Sequence, residues 1–395
     1  MGKTSEILAE YQSTTVINAT YKVVMPGFVD PHTHLVFAGS RHDEYQRKII
    51  GETYSQAQQK GGGIQSTVES TRKASKEELT ERALKSLDAC LLHGTTTLEI
   101  KSGYGLDEAS EYRILEIVQE LKRLHVINIV GTFLGAHTVP EEFKGNRAGY
   151  VTLVKSMLPE IKNKGLAEFC DVFCDELGFS VAETRDILTN AKRLGFKLKV
   201  HAEQTSYTGG SDLAAELGAV SADHLDFICD PQKVGEDWEL KPEHLKKLAR
   251  SGTVGVLLPG VTYHLMEMIP GAKLNKGFLP ATVKLLIDNQ IPVALATDYN
   301  PGSSRTPSMQ AVIQLAARFY RMNYARAINA ATINAAYAID KNTEVGSLEL
   351  GKRGDVVIYD CEEHGMLIDN FGTNMVDQVI KDGKLVVNNG RLIYR

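Results

Sequence analysis

Eight short, nearly continuous apolar runs recur along the chain, separated by longer amphipathic stretches. The runs are VVMPGFVDPH (23–32), TTTLEIK (95–101), NIVGTFLGA (128–136), EFCDVFCD (168–175), KLKVHAE (197–203), AVSADHL (219–225), TVGVLLP (253–259) and PVALATD (292–298). Strands covered by helices on both faces lose the apolar–polar alternation of a half-exposed strand, and these runs have lost it. The stretches between them read as helices. SKEELTERALKSLDACLLHG has Ser75 as N-cap and Gly94 closing it, and SVAETRDILTNAKRLG has Ser180 and Gly195 in the same roles. Eight β-then-α units predict an α/β fold, a parallel (β/α)₈ TIM-like barrel. A doubly wound open sheet is the structural alternative, and the strand count favours the barrel.

The two ends read differently. After ARAINAATINAAYAI, the segments GSLELGKRGDVVIYD and DQVIKDGKLVVNNGRLIYR are short strands broken by Gly-rich turns, with KDGK as a hairpin turn. TTVINATYKVVM near the start is also strand-like. The expectation is a small β-sandwich domain built from residues 1–25 and 345–395, beside a catalytic barrel spanning 26–344.

Charge and cysteine usage narrow the setting. Lys and Arg number 44 and Asp and Glu 49, so the net charge is −5 and offers no electrostatic reason to expect nucleic acid or an anionic membrane as partner. No apolar run reaches the ~18 residues of a spanning helix. MGKTSEILAEYQ lacks the apolar core of a secretory signal, and Glu6 stands where a myristoylation motif needs Ser or Thr. The five cysteines are scattered without a CxxC pair, so neither a disulfide framework nor a thiolate zinc site is indicated. A cytoplasmic location is the expectation.

In such a barrel the active site lies at the C-terminal ends of the strands. Metal-competent residues collect there: His32 and His34 after the first run, His137 after the third, His201 and Glu203 after the fifth, His224 at the sixth and Asp298 at the eighth. His32 and His34 are two apart on a strand, so both imidazoles reach one ion. Imidazole and carboxylate ligands suit zinc or iron.

PGFVDPHTH, together with the later histidines and Asp298, resembles the metal-dependent amidohydrolase superfamily. FAGSRHDEY, GGGIQSTV, KSGYGLD, FLGAH, LPG and TDYNPGSS narrow the resemblance to the branch that opens the ring of 4-imidazolone-5-propanoate in histidine degradation. The resemblance runs from about Pro26 to the C-terminus. It implies a hydrolase of cyclic amide C–N bonds with one Zn²⁺ or Fe ion per subunit held by His32, His34, His201 and Asp298. Water activated by the ion would attack the ring carbonyl and release N-formimidoyl-L-glutamate. His224, with Asp298 and Glu203, would move the protons. The resemblance also implies substrate contacts from Arg41, Tyr104, His137, Gln204, Asn300, Gly302 (through its backbone) and Ser303, with Arg41 offering the propanoate two parallel hydrogen bonds. Binuclear relatives carry a lysine in the region that here reads FCDELGF, which favours a single ion. Relatives are commonly homodimers. Only residues 1–25 precede the motif, about half or fewer of those in family members, so the small domain is reduced or the chain truncated.

Two other functions compete. One is a deaminase or another cyclic amidase on the same metal core, which would not need Arg41 and Tyr104 facing the metal. The other is a non-catalytic barrel, which would be expected to have lost ligands. Surface pairing of Arg41 with Asp43 or Glu44 is the plain alternative to a substrate role. Gly61-Gly62-Gly63 reads as a tight loop near the pocket mouth rather than a phosphate loop. Cys170 and Cys174 read as core. His42, His93, His125, His244, His264 and His364 belong to no constellation. DPQKVGEDWELKPEH, with Trp238, reads as an exposed excursion.

Overall fold

Gly27 divides the first apolar run between two sheets. The computed structural model describes residues 2–13, 15–51, 62–228, 242–265 and 278–394. Gly61 and the excursion around Trp238 (up to residue 241) lie outside them. Strand β1 (Val23–Pro26) pairs antiparallel with β10 (Val356–Tyr359), whereas β2 (Phe28–Asp30) opens the barrel. A Cβ at Gly27 would stand 2.1 Å from Thr96 Oγ1, so only glycine lets the backbone cross between the sheets here. The run expected as one barrel strand is therefore two short strands.

The barrel continues with β3 (Thr95–Lys101), β4 (Asn128–Ala136), β5 (Phe169–Cys174), β6 (Lys197–Ala202), β7 (Ser221–His224), β8 (Val254–Leu257) and β9 (Val293–Leu295). All neighbours are parallel, in the order β2 to β9. Beyond the ends of β2 and β9, Thr33 bridges Tyr299, Asp298 N–H donates to His32 O at 3.0 Å, and His34 N–H donates to Tyr299 O at 3.0 Å. These bonds join the last strand to the first at the end where the site lies. Helices between the strands start where the caps require: Ser75 and Ser180 each form a capping box, with Glu78 and Glu183.

Burial of both strand faces has two different causes. On β3, Leu98 and Ile100 join the apolar core, while Glu99 and Lys101 make ion pairs across the barrel interior. On β5, Cys170 and Cys174 likewise belong to the apolar core, and Asp171 points inward.

The terminal strands form one antiparallel sheet in the order β1, β10, β11 (Val376–Lys381), β12 (Lys384–Asn388), β13 (Arg391–Leu392). Its hairpins turn at Asp382-Gly383 (φ 50° and 76°) and Asn389-Gly390 (φ 48° and 66°), the double left-handed conformation that Asp-Gly and Asn-Gly favour. Among the described residues this is a single sheet. The barrel helix Lys76–Leu92 packs against β11 and β13, where a sandwich would use a second sheet. The strand-like reading of TTVINATYKVVM holds only from Val23. Asn18 Oδ1 accepts from Thr20 N–H (3.0 Å) and Thr20 Oγ1 (2.6 Å), a local turn that replaces ladder bonds. No helix among the described residues is long and apolar enough to cross a membrane.

Candidate metal centre and substrate pocket

The polar residues at the strand ends are aimed by strained backbone. Glu203, His224 and Asp298 have φ of 55°, 80° and 48°, a region in which side chains other than glycine are uncommon. Asp30 anchors the first strand to the last, accepting from Thr297 N (3.1 Å) and Thr297 Oγ1 (2.5 Å).

His32, His201 and His224 bring one ligand atom each within 4.8 Å of one another, and so do His32, His34 and Asp298. Asp298 Oδ1 lies 3.5 Å from His32 Nε2 and 3.4 Å from His34 Nε2. All five residues are buried. His32 Nε2, His201 Nε2 and Asp298 Oδ1 have no hydrogen-bond partner. A buried polar atom without a partner costs about 1–3 kcal/mol, so several in two groups that share His32 call for an occupant. A cation fits: three imidazoles and a carboxylate form the donor set of a zinc or iron site. Burial, then the charge of Lys101 and the neighbouring imidazoles, pushes the His32 ring well below the usual imidazole range; burial first also lowers His34 and His224. Neutral rings are the form that offers a lone pair to a metal.

The sequence reading missed the residues behind the rings. His32 Nδ1 lies 2.6 Å from Asp223 Oδ2, and His201 Nδ1 lies 2.9 Å from Asp171 Oδ2. The Asp223 carboxylate fixes the His32 tautomer and leaves its Nε2 for an ion, and Asp171 lies where it favours the same choice for His201. Their signal was present: a lone carboxylate inside FCDVFC and another in SADH.

The expected substrate residues divide into two groups. Tyr104 and His137 flank the metal centre, their rings 5.6 and 4.8 Å from that of His34. Burial pushes His137 down to about 3, and its Nδ1 pairs with Gly103 O at 3.0 Å. The loop that carries Tyr104 is held by another residue. Glu111 accepts from the backbone N–H groups of Gly103 (3.1 Å), Gly105 (2.8 Å) and Leu106 (2.9 Å). Gln204 is half-buried just past β6.

Arg41 is buried, so a surface pair is the wrong description. Its Nε and Nη2 both reach Glu44, at 2.9 and 2.5 Å, and Glu44 also pairs with Lys48 at 2.9 Å. The two-bond face expected for the propanoate is thus already used by Glu44. Nη1 lies against Gly302, where a Cβ would come within 1.9 Å. Asn300 is likewise committed to its own turn. Its Oδ1 accepts from Gly302 N and Ser303 N, both at 2.8 Å, and its Nδ2 donates to Asp298 O (2.7 Å) and Ser303 Oγ (2.9 Å). That exhausts the amide. Asn300 fixes the turn after β9, and the Gly302 N–H is spent on it.

Glu203 departs furthest from expectation. Oε2 accepts from Thr208 N (2.7 Å), and Oε1 accepts from Ser211 N and Ser211 Oγ (both 2.9 Å). Its carboxylate closes the loop and the start of the helix after β6, which leaves it no evident proton-transfer role. His244 and His264 do join constellations. His244 Nδ1 lies 2.8 Å from Asp212, and the His264 ring stacks on Tyr45 at 4.0 Å, beside the Arg41 pocket.

Residues 23–386 match the model of the amidohydrolase family. The imidazolonepropionase of Treponema denticola is 47% identical over 97% of this chain and 88% of its own length. That of Geobacillus thermodenitrificans is 45% identical over 95% and 84%. Among solved structures, 5-methylcytosine deaminase from Klebsiella pneumoniae superposes with a TM-score of 0.75 at 17% identity, covering 98% of this chain and 92% of that one. A zinc-bound adenosine deaminase from Xanthomonas campestris gives 0.70 at 16%, covering 99% and 86%. At such identities these two speak for the fold alone. The barrel, the histidine–aspartate cluster at its strand ends and relatives matched along nearly the whole chain agree: this protein belongs to the amidohydrolase family, among the imidazolonepropionases.

Proposed function

We propose that the chain hydrolyses 4-imidazolone-5-propanoate to N-formimidoyl-L-glutamate, cleaving the ring C–N bond next to the carbonyl. The observation that carries this reading is the pair of metal-competent groups sharing His32, in which His32 Nε2, His201 Nε2 and Asp298 Oδ1 are buried without a hydrogen-bond partner. His32, His34, His201 and Asp298 would hold one Zn²⁺ or Fe ion. Bound there, it supplies Lewis acidity, lowering the pKa of water from 15.7 toward about 7. His224, neutral through burial, takes the proton of the attacking water and returns it to the departing ring nitrogen. Asp298 Oδ1 accepts a hydrogen bond from the same water during the attack. Tyr104 and His137 border the ring. Arg41 meets the propanoate through Nη1, Glu44 fixing the other edge of the guanidinium. Glu203 is left out of the proton path.

The test is a coupled ultraviolet assay in which urocanase generates the substrate in situ. Loss of substrate above the spontaneous rate, abolished by chelation and in His32→Ala, is the expected result. A metal-replete protein that gives no acceleration would refute the assignment and turn attention to deamination of neutral rings.

A further inference from the structure

Lys101 is a buried amine that the hydrolysis leaves unused. Its side chain is 0% exposed, and Nζ lies 2.8 Å from Asp171 Oδ2, 2.9 Å from Glu99 and 3.6 Å from Asp223 Oδ2. The same two aspartate oxygens face the histidines: Asp171 Oδ2 is 2.9 Å from His201 Nδ1, and Asp223 Oδ2 is 2.6 Å from His32 Nδ1. One ammonium therefore stands between two carboxylates, one hydrogen-bonded to His32 and the other within ion-pair distance of His201 Nδ1. Lys199 is equally buried and stands at nearly the same distance from Asp223, but its hydrogen bonds go to backbone carbonyls, whereas Lys101 donates to Asp171 and Glu99. Lys199 Nζ donates to Pro31 O (3.3 Å) and Ala338 O (3.0 Å), staying 3.7 Å from Asp223 and 4.0 Å from Glu99.

We propose that Lys101 is a positioning residue for the metal centre, setting the His32 and His201 rings together through Asp223 and Asp171. This rests on the reading of His32 and His201 as metal ligands. A carboxylate oxygen held by an ammonium on one side and an imidazole on the other has little freedom, so the ring it holds keeps Nε2 aimed at one point. Lys101 acts on the Asp171 arm through a hydrogen bond and on the Asp223 arm through charge, and the shared ammonium couples the two arms. The position follows from β3 geometry: Glu99 and Lys101 are two apart and share the inner face.

Zinc affinity of the metal-free protein, measured by competition with a chromophoric chelator, tests this with thermal unfolding run alongside. Lys101→Met is expected to weaken zinc binding by tenfold or more. Lys199→Met is expected to lower the melting temperature while keeping zinc affinity within about threefold. A folded Lys101→Met protein that binds zinc within about twofold of the parent overturns the proposal, as does an equal loss in Lys199→Met. If Lys101→Met fails to fold, Asp171→Asn, Asp223→Asn and their double variant decide. Losses that depart from multiplicativity by more than about fivefold support coupling through Lys101, and multiplicative losses overturn it. A parent protein that binds neither zinc nor ferrous iron refutes the metal-centre reading and this inference with it; a parent that binds while Lys101→Met is unaffected refutes only the inference.

Discussion

Arg41, Glu44 and Lys48 place two cations and one anion where water does not reach, and their balance decides how Glu44 titrates. Burial alone would raise the Glu44 carboxyl, but the hydrogen bonds and charges of Arg41 and Lys48 outweigh it and hold the group at about 2. An acid whose folded pKa is depressed stabilises the fold above its unfolded value, about 4.3, and loses that contribution as the pH falls toward the folded value. Glu44→Gln is therefore expected to cost on the order of 2 kcal/mol at neutral pH, with the gap to the parent closing between about pH 4.5 and 2; urea midpoints across that range measure it. Gly302 bears on the same arginine. A methyl group there would collide with Nη1 and Cζ of Arg41, at 1.9 and 2.2 Å, and Glu44 prevents the guanidinium from swinging aside freely. Gly302→Ala is expected to raise KM by roughly tenfold, the loss of about one charge-assisted hydrogen bond, with a smaller change in kcat. A fall in kcat with KM unchanged would show that Arg41 does not hold the substrate.

At the scale of elements, caps and loop anchors separate stability from activity. Ser75 accepts from Glu78 N at 3.1 Å, and Glu78 Oε2 accepts from Ser75 N at 2.8 Å. Ser75→Ala removes one side of this box, far from the site. It should cost about 1 kcal/mol in denaturant melts and leave kcat/KM unchanged. Glu111 also lies on a helix, Glu108–Leu124, but it holds the loop that carries Tyr104. A glutamine keeps one acceptor oxygen where the carboxylate has two, so Glu111→Gln is expected to cost roughly 1–3 kcal/mol and to lower kcat/KM as well. Equal kinetics in both variants would mean that the loop finds its shape without Glu111.

At the scale of the whole molecule, the candidate metal centre draws its residues from the chain's distant parts. His32 follows β2, His201 ends in β6, and Asp298 follows β9. An ion bound only by the folded state stabilises it by RT ln(1 + [L]/Kd), about 4 kcal/mol at a thousand times Kd. Chelation should therefore lower the melting temperature reversibly, and zinc should restore it in proportion to its concentration. His32→Ala should melt at one temperature with or without chelator. The terminal sheet, packed against the barrel helix Lys76–Leu92, should unfold in the same transition, because one apolar cluster includes Leu87, Leu91, Val379 and Val387.

Much of this molecule is local enough to be legible in the primary structure. Apolar runs announce the strands because burial on both faces demands them, and Ser75 and Ser180 announce helix starts because a cap acts within three residues. His32, His34, His201, His224 and Asp298 stand out because strand ends repeat and imidazoles are rare there. Pairings across the barrel have no such local signal. Which carboxylate stands behind which histidine depends on partners far along the chain, Asp223 for His32 and Asp171 for His201; Arg41–Glu44 and Glu203–Ser211 are near in sequence, but their burial, which decides what they can do, is set by the packing around them. Gly27 shows the same division in the backbone: its run reads as one strand, yet contact with Thr96 makes it two. Tertiary structure alone decided these points, because a hydrogen bond or a collision between distant residues exists only once the barrel has closed.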